Sequence, residues 1–78
     1  MYKGIDYKAM VERAKQLKHT TIQITDLMND EEKAIWDNMH EVHKGSIRLS
    51  FMLLLIKLNL DRQIVCSVYL NDDRIFIK

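Results

Sequence analysis

The apolar residues at the start of the chain recur at helical spacing. Tyr7, Met10, Val11, Ala14 and Leu17 form one stripe, with Asp6 placed as an N-cap, which predicts a helix over about residues 6–18. The period then changes. Thr20-Thr21-Ile22-Gln23-Ile24-Thr25 is β-branched and alternating, the pattern of a short strand or an extended connection. Asn29 followed by Glu32 resembles a capping box, and Asp30, Glu31 and Glu32 suit the positive end of a helix dipole. Ile35, Met39 and Val42 then mark a buried stripe with Trp36 beside it, and Gly45 stands as a stop after Lys44, predicting a second helix over about 30–43.

Residues 46–60 defeat a clean test of period, because nine of the twelve residues from Leu49 to Leu60 are apolar. Ile47, Phe51, Leu54 and Leu58 share one helical face, and the stretch is long for a strand in so short a chain, so a third helix is expected. A strand here would instead give a three-stranded meander with two helices. Ile64-Val65-Cys66-Ser67-Val68-Tyr69-Leu70 then reads as a strand, Asn71-Asp72-Asp73 as a tight turn and Arg74-Ile75-Phe76-Ile77-Lys78 as the partner strand. The expected fold class is α+β, three helices followed by a C-terminal β-hairpin, in one domain spanning 1–78.

Composition narrows the setting. With 47% hydrophobic and 29% charged residues the chain lies in the globular range. A lone cysteine, Cys66, allows no internal disulfide and suggests a reducing, cytoplasmic compartment. The N-terminus has no apolar signal region, and the run from Phe51 to Ile56 falls far short of the roughly eighteen apolar residues of a membrane span. No membrane partner is expected.

The formal net charge is only +1, but residues 1–25, 26–43 and 44–78 carry about +3, −5 and +3, so basic and acidic surfaces are expected. Helix, short strand, helix, longer helix and hairpin is the order of a winged helix, in which the third helix enters the DNA major groove and the hairpin is the wing. Lys44 and Arg48 near the start of that recognition element and Lys57 later in it, with Arg62 and Arg74 at the wing, are the candidate phosphate contacts. Charged residues on a helix are more often a solvated face, which is the competing account of all five.

Three strings carry a family resemblance over about residues 22–52: Ile22-Gln23-Ile24-Thr25-Asp26-Leu27, then Trp36-Asp37-Asn38-Met39, then Phe51. They resemble a family of short, uncharacterised winged-helix-like proteins from phages and mobile elements of Gram-positive bacteria. That family opens its third helix with a Gly-Arg pair ahead of Phe; here Gly45 lies three residues before Arg48. The resemblance implies a DNA-associated accessory or regulatory protein, serving a larger replication or recombination enzyme. It implies no reaction.

The remaining chemistry is sparse. His40 and His43, near Asp37 and Glu41, lack the four well-spaced ligands that zinc favours, and surface histidines on a charged helix explain them. Cys66 alternates with Ile64, Val68 and Leu70 and reads as a small core residue. Asp72-Asp73 suits a turn for backbone reasons. No phosphate loop, nucleophile elbow or paired-carboxylate constellation is present, so no enzyme and no cofactor are expected.

A third helix apolar nearly all round must bury more than one face. Met52, Leu53 and Ile56 are therefore the candidates for a homodimer seam or a protein partner, against the alternative of a tightly wrapped core helix. The leading expectation is a winged-helix-like DNA-binding accessory protein, for single- or double-stranded DNA. Its rival is a protein-interaction module, such as a phage-encoded inhibitor of a host factor, with no DNA binding.

Overall fold

A computed structural model describes residues 4–78. Helix α1 runs Tyr7–Lys15, capped by Asp6, whose carboxylate accepts the Ala9 N–H at 3.1 Å. It is shorter than the predicted 6–18. Gln16 closes it, and the chain turns through His19 at φ 53° into strand β1, Thr20–Gln23. Met10, Val11 and Ala14 are buried and Tyr7 and Leu17 pack against the core, as the stripe required.

The extended segment expected at 20–25 ends two residues early. The Gln23 N–H donates to the Asp26 carboxylate at 2.9 Å and starts a 3₁₀ turn, Ile24–Leu27, that sinks Ile24 and Leu27 into the core. Helix α2, Asp30–Asp37, carries the predicted capping box: the Asn29 side chain accepts the Glu32 N–H at 2.8 Å and Glu32 accepts the Asn29 N–H at 3.1 Å.

The second helix does not reach residue 43. The Asn38 side chain donates to the Ala34 carbonyl at 2.9 Å as α2 closes, and the His40 ring nitrogen accepts the Val42 N–H at 3.2 Å to open helix α3, Glu41–Leu60. Gly45 is thus inside α3 rather than at a helix end, and Val42, assigned to a buried stripe, stands 69% exposed. The ambiguous stretch 46–60 is helical throughout. Its expected face is correct: Ile47 and Phe51 are buried and Leu54 and Leu58 pack on the core, joined by Met52 and Leu55.

At its end, the Gln63 N–H donates to the Leu58 carbonyl at 2.8 Å and the Arg62 N–H to that of Asn59 at 3.1 Å. These are the paired hydrogen bonds of a Schellman turn, with Arg62 left-handed at φ 60°. The predicted 64–70 strand is confined to β2, Cys66–Tyr69, and turns into β3, Arg74–Ile77, with Asp73 left-handed at φ 53°.

The sheet has three strands, not a hairpin alone. β1 pairs antiparallel with β3 from Thr20↔Ile77 to Gln23↔Arg74, and β2 pairs with the other edge of β3, giving the order β1-β3-β2. Ile22, Cys66, Ile75 and Ile77 turn inward to Met10, Phe51 and Leu55. Burial of each such aliphatic side chain is worth about 1.5–3 kcal/mol before entropy is subtracted. The architecture is a small α+β domain of winged-helix-like topology, with α3 in the place of the recognition helix.

Candidate interaction surface

On the side of α3 turned away from Phe51 and Leu55, the helix carries Val42, Leu49, Leu53, Ile56 and Leu60. Val42 is 69%, Leu49 51%, Leu53 52% and Leu60 76% exposed, and Ile56 is half-buried. With Ser46 they fall alternately four and three residues apart, the a/d spacing of a helix–helix seam. Of the three residues expected to meet a partner, Leu53 is on this stripe and Ile56 at its margin. Met52 is not: it is 1% exposed and packed in the core, because it lies toward the sheet side of the helix. The signal available in the sequence was the complete set from Val42 to Leu60, which assigning Val42 to α2 broke in two.

The candidate phosphate contacts separate into two groups. Lys44 and Arg48 lie on the inward flank of α3, over the ring of buried Trp36 at 5.8 Å and 5.4 Å from its centroid. Lys44 Nζ is also 3.4 Å from Glu41, and Arg48 Nε is 3.7 Å from Asp73 in the wing turn. Arg74 reaches Asp72 at 2.8 Å. Each of these three cations is thus already matched to a carboxylate. Lys57 and Arg62 are exposed and make no ion pair among the described residues.

Arg48 and Trp36 line a groove of about 260 Å³ with Gln23, Ile24, Thr25, Asp72 and Asp73, so the wing tip is tied electrostatically to α3. A second groove, about 280 Å³, holds three cations that the sequence reading did not single out. Lys15 and Lys18 come from the end of α1 and Lys78 from beyond β3, with Ala14, Leu17, Gln63, Ile64, Val65 and Ile77 between them. Their separation along the chain concealed them.

A buried charge was equally hidden. Glu32 is 3% exposed; its Oε1 accepts Arg13 Nη1 at 2.7 Å, and its Oε2 accepts the Asp6 N–H at 3.0 Å. Arg13 Nη1 also donates to the Leu27 carbonyl at 2.7 Å. Burial alone would raise the Glu32 pKa, but the Asp6 and Asn29 N–H groups and the Arg13 guanidinium outweigh it and hold the carboxyl below its usual range. This network fastens α1 to the start of α2 and is structural in character.

Cys66 is buried, as its alternation required, and burial pushes its thiol pKa up even though Lys78 pulls it down. His40 serves as the α3 cap, with its ring 6.5 Å from that of His43. Among the described residues no helix is long and apolar enough to cross a membrane. No family model, curated protein or solved structure matches the chain.

Proposed function

We propose that this chain is a protein-interaction module on a winged-helix-like scaffold, using the outward face of α3 as its contact surface. One observation carries the reading. The helix face that a DNA-reading winged helix presents to the major groove is here Val42, Leu49, Leu53, Ile56 and Leu60, while Lys44 and Arg48 are folded inward onto Trp36. A contiguous apolar stripe on one helix is suited to another apolar surface and ill-suited to phosphates.

The test uses wild-type chain and Leu53→Glu side by side as bait in a lysate treated with nuclease and washed at high salt, together with labelled single- and double-stranded DNA read by anisotropy. Association lost in Leu53→Glu and DNA binding that is weak at every salt concentration support the module. Tight DNA binding that weakens steeply with salt and ignores Leu53→Glu overturns it.

A second reading, nucleic-acid binding by an accessory protein, draws on the Lys15, Lys18 and Lys78 groove and on the exposed Lys57 and Arg62. It predicts that Lys57→Ala and Arg62→Ala each weaken DNA binding and flatten its salt dependence.

A further inference from the structure

We propose that the partner of the α3 face is a second copy of this chain, docked antiparallel through α3 about a two-fold axis that crosses its outward face between Leu49 and Leu53, at the level of residue 51. The inference rests on the reading of α3 as a protein-contact face and names its occupant.

The argument begins with the order of residues in the stripe. Val42 and Leu60, Ser46 and Ile56, and Leu49 and Leu53 are three pairs, each equidistant from residue 51. An isologous interface requires a self-complementary patch, in which the residue that i meets also meets i. Antiparallel alignment about residue 51 satisfies that along the whole seam. The two leucine pairs meet at the centre, the small Ser46 faces the larger Ile56 of the second copy, and Val42 faces Leu60 at each end. Every layer then matches an a position with a d position, as antiparallel coiled coils do.

Parallel alignment fits less well. It would set Ser46 against Ser46, leaving a gap in an apolar seam, and would set the two helix dipoles side by side in the same direction, with like ends adjacent. The positions flanking the seam are His43, Gly45, Ser50, Met52, Lys57 and Asn59, so Lys57 is the one Lys, Arg, Asp or Glu among them. In the antiparallel arrangement the two copies of Lys57 lie toward opposite ends of the seam and do not meet.

The area is sufficient for a reversible dimer. The helix has 20 residues. A seam about 30 Å long buried against its equal removes roughly 1,000 Å² in total, near the lower bound for a specific interface. An interface of that size belongs to a weak, reversible dimer rather than an obligate one.

Sedimentation equilibrium from low micromolar to millimolar concentration tests the proposal with wild type, Leu53→Glu, Leu49→Lys and the double variant Leu49→Lys/Leu53→Glu. Both sites are on the exposed face, and circular dichroism verifies that each variant keeps its helix content. Wild type is expected to pass from monomer to dimer, and each single variant to lose at least tenfold in association. The double variant regains dimer, because position 49 of one copy meets position 53 of the other. A wild type that stays monomeric at every concentration overturns the second-copy proposal; if lysate capture still depends on Leu53, the module reading survives it. A dimer that the double variant fails to restore overturns the antiparallel arrangement.

Discussion

The Arg13 guanidinium meets Glu32 at 2.7 Å, and through that contact the last turns of α1 are fixed to the capping box of α2. Glu32 is the buried member, with 4% side-chain exposure against 38% for Arg13. Replacing it by Gln leaves a single acceptor oxygen and sets an NH2 group where the other stood, so one of the Asp6 and Asn29 N–H groups loses its acceptor while Arg13 keeps access to water. Glu32→Gln is expected to lower stability by about 2–3 kcal/mol in urea unfolding.

The same carboxylate sets a pH dependence. Its folded-state pKa lies below the ordinary value of 4.5, so the unfolded chain binds the proton more readily. The stabilisation is complete above that ordinary value and is lost as pH falls through the folded-state value. Wild type is expected to lose stability in that acid window and Glu32→Gln to lose less; equal slopes for the two in pH-dependent urea melts would refute the assignment.

Arg62 adopts a left-handed conformation to close the Schellman turn, a position where a side chain is strained and glycine is not. Arg62→Gly is expected to raise the unfolding free energy by about 0.5–1 kcal/mol. Thermal melts read the shift, and a lowered midpoint would mean that the Arg62 side chain makes a contact worth more than the strain.

Gly45 lies inside α3 with open space around the position of a Cβ, so the fold requires no glycine there. Gly45→Ala is expected to stabilise the chain by about 1 kcal/mol through helix propensity. Urea unfolding at a concentration low enough to hold the chain monomeric isolates that effect.

Arg48 unites two weak interactions, a 3.7 Å approach to half-exposed Asp73 and a place over buried Trp36. Arg48→Ala is expected to lower stability by about 1 kcal/mol, most of it from the ring contact. It is also expected to leave any DNA binding unchanged, which anisotropy on the same samples checks.

The α+β class and the element order were legible because they rest on local signals: the Asp6 and Asn29 caps, the period of α1 and the β-branched strands. The joint between α2 and α3 was not, because His40, a weak capping residue, outcompeted Gly45 as the punctuation of the chain. That single shift moved Val42 from a supposed core stripe to the surface and opened the seam along α3. Met52 shows the other limit. In a helix apolar on most sides, spacing alone does not say which face meets the sheet, and the packing of α3 against β2, with Met52 in the shared core, decided it. Long-range electrostatics left no local trace at all: neither the Glu32–Arg13 pair nor the Lys15, Lys18 and Lys78 groove is adjacent in the chain.

The most direct test of the account is a dilution series of ¹H–¹⁵N spectra on the wild-type chain, repeated with a short DNA duplex at low salt. The amides from Val42 to Leu60 are expected to shift with protein concentration while those of β3 stay still, and the duplex is expected to leave α3 unmoved. Amides of α3 that ignore dilution and respond to the duplex would contradict it.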